Sequence, residues 1–222
     1  TAKNLNSATQ RFVIPGPAGA LEMALDLPAK DVPIQGLSVV AHPHPLFGGT
    51  LDNKVAQTLA KAFVNQGMIC LRPNFRGVGK SESSHDHGHG EVEDLWAAWS
   101  WLLSQYPDVS GKRWMGGFSF GAVMTTHIAH AWPSHALTQH QPELSRVILV
   151  GLGIADDRRP PAPLTAAARL IHGEEDEVVA LKKVLDWVAP QQHPVMVMPA
   201  AGHFFHAKLP FLRDCITRCL MA

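Results

Sequence analysis

The stretch Trp114-Met115-Gly116-Gly117-Phe118-Ser119-Phe120-Gly121-Ala122 decides the fold. Residues 114–118 form a short apolar run that reads as a buried strand, and 122–131 continue with the apolar pattern of a helix. Between them lies Gly117-Phe118-Ser119-Phe120-Gly121, which sets a serine on a sharp strand-to-helix turn. Such a turn strains the serine backbone and lifts its hydroxyl above the sheet. Glycine is required on both sides because a Cβ there would collide across the turn. The competing reading is a glycine turn kept for packing alone. A chance match seldom falls between a buried strand and an apolar helix, so Ser119 is read as a nucleophile.

Working outward, apolar β-branched runs recur at 11–14, 21–27, 37–41, 68–72, 147–150, 169–171 and 195–198, each bounded by Gly, Pro or His. The later runs are continuously apolar, as expected of strands covered on both faces. Helical periodicity occupies 52–66, 91–106, 122–131, 181–188 and about 209–220. The first two strands follow each other directly, and strand and helix then alternate. That order predicts an α/β protein, a three-layer α/β/α sandwich around a mostly parallel sheet of about eight strands with an antiparallel edge. The 222 residues show no repeat and no linker, so one domain over 1–222 is expected; the Pro- and Arg-rich 155–164 reads as a loop.

A serine hydroxyl is a weak nucleophile until a base takes its proton, and the base needs a carboxylate to orient it. In this topology the chain order should be Ser, acid, His. His172-Gly173-Glu174-Glu175-Asp176-Glu177-Val178-Val179 ends one late strand with a burst of acids, and Gly202-His203-Phe204-Phe205 follows the last strand. Both lie at carboxyl ends of parallel strands, where open α/β sheets bind ligands. Asp176 is preferred over Glu174, Glu175 and Glu177 because Val178 and Val179 look like residues re-entering the core. His203 is preferred as base; His206, expected inside the following helix, is the fallback.

Ala41-His42-Pro43-His44-Pro45-Leu46-Phe47-Gly48-Gly49, Asn74-Phe75-Arg76-Gly77-Val78-Gly79, the Ser119 pentapeptide, His172-Gly173-Glu174-Glu175-Asp176 and Gly202-His203-Phe204-Phe205 together resemble successive motifs of the α/β-hydrolase superfamily. More narrowly they are similar to its small bacterial, dienelactone-hydrolase-like branch of serine hydrolases without a cap domain. The resemblance runs from about residue 10 to the C-terminus, and it implies Ser119, Asp176 and His203 as the triad. Dienelactone hydrolases proper use a Cys nucleophile, and the Ser here points away from dienelactone as substrate. Only a short loop joins 151 to 169, where larger relatives insert a lid, so a shallow, open site is expected.

Acyl transfer also needs backbone N–H groups aimed at the developing oxyanion. One should be that of Phe120, directly after the nucleophile. The second should come from 42–46, where Pro43 and Pro45 have no N–H. That leaves His44 or Leu46; His44 takes the position that follows a His-Gly pair in the commoner form of this loop.

Nineteen Lys and Arg balance nineteen Asp and Glu, which removes the electrostatic case for nucleic acid or an anionic membrane and makes a neutral small molecule the default. Three cysteines, Cys70, Cys215 and Cys219, form no disulfide framework and read as buried thiols. No run approaches the ~20 apolar residues of a membrane span, and 1–10 lack a signal pattern, so a cytoplasmic protein is expected. Gly77-Val78-Gly79-Lys80-Ser81 imitates the end of a phosphate loop, but Asn74 stands where that loop needs Gly. His85, His87 and His89 alternate without a completing ligand set, so no metal is expected and the loop reads as solvated. His127 and His130 read as packing or surface residues, as do Trp96, Trp99 and Trp101. Arg76 reads as a structural hydrogen-bond fork. The expectation is a carboxylesterase-like serine hydrolase acting on a small-molecule ester through an acyl-enzyme, with no cofactor. A thioesterase or peptidase with the same triad, or a binding module of the same fold, are the alternatives.

Overall fold

The computed structural model describes residues 9–222, so most of the 1–10 stretch read for a targeting signal lies outside the described residues. Eight strands make one sheet: β1 (Gln10–Gly16), β2 (Gly19–Asp26), β3 (Gly36–Ala41), β4 (Met68–Pro73), β5 (Lys112–Phe118), β6 (Leu144–Val150), β7 (Ala168–Gly173) and β8 (Val195–Met198). Their order is β1-β2-β4-β3-β5-β6-β7-β8. β1 and β2 pair antiparallel, as do β2 and β4, and every other pairing is parallel. The α/β sandwich with a mostly parallel eight-stranded sheet and an antiparallel edge is therefore the fold.

Among the described residues five α-helices cover the sheet: α1 (Lys54–Asn65), α2 (His89–Gln105), α3 (Phe120–Ala131), α4 (Leu181–Val188) and α5 (Leu209–Met221). Because successive side chains of a strand point to opposite faces, the central strands feed two cores. In β6, Val147 and Leu149 join the core under α2, α3 and α4, while Ile148 and Val150 join the core under α1 and α5. This double burial explains why the strands read as continuous apolar runs. On α5 the buried residues Leu212, Cys215, Ile216, Cys219 and Leu220 fall at i, i+3, i+4, i+7 and i+8, the stripe of a helix packed on a sheet. Both thiols are free and buried there, and burial raises their pKa. Cys70, on β4, is pushed up to about 12 by burial.

The strand order reverses at β3, which has β4 on one side and β5 on the other although β4 and β5 are consecutive in the chain. At such a switch point the loops leaving neighbouring strands diverge and open a crevice at their carboxyl ends. The loops after β3 and β5 are those carrying His44 and Ser119. No helix among the described residues is long and apolar enough to cross a membrane.

Candidate active site

Ser119 is the junction between β5 and α3, with φ 54° and ψ −115°. A non-glycine residue at positive φ is strained, and such strain persists only where the surroundings over-determine it. Here its N–H donates to Val150 O at 2.9 Å, and its carbonyl accepts from Ala122 N at 3.0 Å and Gly153 N at 3.2 Å. The flanking glycines are sterically required. A Cβ on Gly117 would stand 2.4 Å from Gly121 O, and one on Gly121 would stand 2.3 Å from Ala41 O. The helix begins at Phe120 rather than two residues later, because the turn is completed within Ser119 itself.

Three side chains from distant parts of the chain meet at this turn. Ser119 Oγ stands 3.1 Å from His203 Nε2, and His203 Nδ1 stands 2.7 Å from Asp176 Oδ2. The other carboxylate oxygen, Oδ1, accepts from Val178 N at 2.9 Å and Val179 N at 2.7 Å. Burial alone would raise the Asp176 carboxyl, but the hydrogen bonds from His203 and Val179 hold it below the ordinary carboxylate range. The competing acids have other duties. Glu174 accepts from Ala200 N, Glu177 accepts from His203 N, and Glu175 is exposed. Val179 is buried as expected, but Val178 is 58% exposed; the pair serves Asp176 through backbone amides. His206 is exposed in the turn before α5 rather than inside it, because that helix starts only at Leu209.

Two histidines support this arrangement that residue-by-residue reading did not assign. His172, at the end of β7, donates from Nε2 to Val179 O at 2.7 Å and lies 3.3 Å from Asp176 Oδ2. Burial lowers its pKa. Its place in a His-Gly pair at a strand end, four residues before Asp176, was the signal available. His42 is fully buried, accepts from Phe75 N at Nε2 and donates from Nδ1 to Pro43 O. Burial brings its pKa down to about 4, so it is a neutral imidazole fixing the loop after β3 to the end of β4.

In that loop Leu46 N donates to His44 Nδ1 at 3.1 Å, so the Leu46 amide is occupied. Neither the His44 amide nor the Phe120 amide has an acceptor among the described residues. The ring of His44 packs 4.8 Å from that of Phe120, so the two amides belong to adjoining elements. The Phe120 amide also opens the first turn of α3, where N–H groups lack intrahelical partners and the helix dipole favours negative charge.

The neighbouring signals resolve into structure. In the phosphate-loop imitation, Lys80 N donates to Glu22, Gly77 N to Glu82 O and Ser81 Oγ to Asn74 O, so these two amides and the hydroxyl are engaged in the loop's own structure. In the His85 loop His87 and His89 are exposed as expected, and only His85 is more covered than expected. The His85 side chain is 8% exposed, its Nδ1 lies 3.6 Å from the buried Glu91 carboxylate, and its ring packs on His44 and Phe120. The cause is Glu91, which accepts from Asp86 N and Gly88 N and folds the loop back onto α2. Among the described residues no group of three or more His, Cys, Asp or Glu could hold a metal ion. Trp99 is buried in the core, Trp101 packs on Phe12, and His127 binds Pro160 O. Arg76 forms the expected fork, with Nη2 2.9 Å and Nε 3.1 Å from the oxygens of Asp94.

Comparison with known proteins adds relatives to this geometry. The family model described as X-Pro dipeptidyl-peptidase (S15 family) matches residues 26–145, a span that includes Ser119 and stops short of Asp176 and His203. An uncharacterized protein of Rickettsia prowazekii (strain Madrid E) is 32% identical over 183 residues, covering 78% of this chain and 73% of its own. An α/β serine hydrolase without lid from Xanthomonas campestris is 34% identical, with a TM-score of 0.82 over 98% of this chain and 95% of that one. An α/β serine hydrolase homologue from Coxiella burnetii is 36% identical, also with a TM-score of 0.82, over 94% and 96% of the two chains.

Proposed function

The chain belongs to the α/β-hydrolase superfamily, within the reach of the X-Pro dipeptidyl-peptidase (S15) family model, and from that premise we propose that it is a serine hydrolase cleaving a carboxylic ester of a small molecule with Ser119, His203 and Asp176. The observation that carries this reading is the unbroken contact from Ser119 Oγ through the His203 imidazole to Asp176 Oδ2.

The chemistry follows from who holds which proton. Asp176 accepts the Nδ1 proton of His203, which leaves Nε2 as the acceptor facing Ser119. Attack of Oγ on the ester carbon passes the hydroxyl proton to Nε2. The imidazolium so formed sits beside a carboxylate already held ionised. The carbonyl oxygen becomes an oxyanion between the amides of Phe120 and His44, each such donor contributing about 3 kcal/mol to the barrier reduction. Collapse expels the alcohol, which takes the proton from Nε2 and leaves Ser119 acylated. Water then attacks the acyl group, giving its proton to His203, and departure of the acid returns that proton to Oγ. The start of the loop after β3, where His42, Pro43 and His44 are buried and Pro43 and Pro45 flank His44, supports preorganisation, since the His44 amide needs no rearrangement as charge develops.

A second reading is peptidase activity with the same three residues, favoured by the description of the matching family. Parallel rates on 4-nitrophenyl esters, thioesters and an X-Pro 4-nitroanilide separate the two. For the principal reading, a fluorophosphonate probe should label the wild type on Ser119, and labelling and ester turnover should both vanish in Ser119→Ala. A folded wild type that neither labels nor turns over ester would convert the reading into that of a binding module.

A further inference from the structure

The oxyanion side of the site ends in an exposed aromatic capped by a cation. Phe47, at the tip of the loop after β3, is 73% exposed, and the guanidinium of Arg158 lies over its ring at 5.2 Å from the centroid. The Phe47 ring is 4.8 Å from that of His44, which is 4.8 Å from that of Phe120 beside the nucleophile. Arg158 comes from the loop after β6, whose first turn is tied to Ser119 O through Gly153 N. Both members of the pair are thus anchored to the segments that carry the reacting groups.

The Arg158 guanidinium donates no hydrogen bond among the described residues. Its neighbour Asp157 stands 3.9 Å away, beyond hydrogen-bond reach, and is 84% exposed. Nearby cations are committed elsewhere: Arg159 donates to Gly88 O, and Lys183 pairs with Asp156. Burial brings the His44 pKa down to about 4, and among the charges that act on it Arg158 outweighs Asp157. Across the site, Phe204 is 41% exposed with its ring 5.0 Å from that of His203. The mouth therefore shows an exposed aromatic on each side, and at one end a cation that, among the described residues, has only the exposed Asp157 at 3.9 Å as an ion partner.

Building on the serine-hydrolase reading, we propose that the substrate is an ester carrying a carboxylate on a short apolar or aromatic stem, with the stem against Phe47 and the carboxylate on Arg158. A guanidinium presents a planar fork that matches a carboxylate. One cation suits a monoanion; a phosphate group, at about −1.5 to −2, calls for a second. The balanced net charge does not argue against this, since net charge governs long-range attraction while a substrate meets the local cation.

Two ester pairs in which methyl replaces carboxylate test it: 4-nitrophenyl hydrogen glutarate against 4-nitrophenyl valerate, and 4-acetoxybenzoate against 4-methylphenyl acetate. In at least one pair the ratio of kcat/KM values, anionic over neutral, should fall about tenfold or more in Arg158→Gln, mainly through KM. Arg158→Lys should recover part of it, and added salt should weaken it. An unchanged ratio in both pairs overturns the proposal. Calorimetric binding of the glutarate ester to Ser119→Ala, with and without Arg158→Gln, reads the same preference without catalysis. Binding about tenfold tighter with Arg158 present supports the proposal even if no ester is turned over, and equal binding overturns it whether or not the triad works.

Discussion

His172 Nε2 stands 2.7 Å from Val179 O and 3.3 Å from Asp176 Oδ2, while Val179 N returns a 2.7 Å hydrogen bond to Asp176 Oδ1. One imidazole thereby closes a ring around the acid loop and fixes the carboxylate that faces His203. His172→Leu should lower kcat on a 4-nitrophenyl ester by about tenfold or more with little change in KM, the pattern of a lost interaction that matters in the transition state. His172→Gln, which can offer an N–H at similar reach, should restore much of it. A His172→Leu protein with wild-type kcat would sink the positioning role.

The acid itself can be told from its neighbours by charge alone. Asp176→Asn keeps the shape but presents an amide to His203 and favours the wrong tautomer, so kcat should fall by about 10⁴-fold. Glu174→Gln and Glu175→Gln should stay within about threefold of wild type, since neither carboxylate approaches the imidazole. Steady-state rates on one ester decide it: a severe loss in either Glu variant with a mild one in Asp176→Asn would reassign the acid.

His42 makes acid unfolding a test of the loop that carries the His44 amide. Folded, it titrates at about 4 because burial disfavours its cation; unfolded, it titrates near ~6.5. As pH falls between those values the unfolded chain takes up a proton that the folded chain refuses, so stability is lost on acidification. This one group should account for about 3 kcal/mol between about pH 7 and pH 4. Denaturant unfolding across that range should show a shallower pH dependence in His42→Gln than in wild type, whatever the variant's absolute stability. Parallel curves for the two proteins would exclude this origin.

The frame was legible because its causes are local. Continuous apolar runs marked the doubly covered strands, and the glycine-flanked Ser119 marked the turn where steric limits leave no alternative to Gly117 and Gly121. Chain order then pointed to the two late loops. Within them Asp176, chosen on the expectation that Val178 and Val179 return to the core, and His203 are brought within hydrogen-bond distance of each other by the fold. What escaped was contact between loops remote in sequence. Val178 looked like core and is exposed, because its amide rather than its side chain is used. His85 looked solvated and is covered, because Glu91 folds its loop inward. Arg158 over Phe47 joins residues 111 positions apart by number, and nothing in either segment's periodicity announces it.

Arg76 and Asp94 offer a stability test away from the reacting groups. Asp94 is fully buried and accepts from the Arg76 backbone N–H as well as from its guanidinium, pinning the loop after β4 to α2. Burial raises the Asp94 carboxyl and the guanidinium opposes that rise, so each charge is tolerated because of the other. Asp94→Ala leaves a largely buried cation without its partner and should cost about 3–5 kcal/mol, a fall in Tm of about 10 °C for a chain of this length. Replacing both, as Arg76→Met with Asp94→Leu, should cost less than Asp94→Ala alone, because no uncompensated charge remains. Thermal unfolding of Arg76→Met, Asp94→Leu and the double variant beside wild type closes the cycle. A double variant as unstable as the sum of its singles would mean that the two residues act separately rather than as an ion pair.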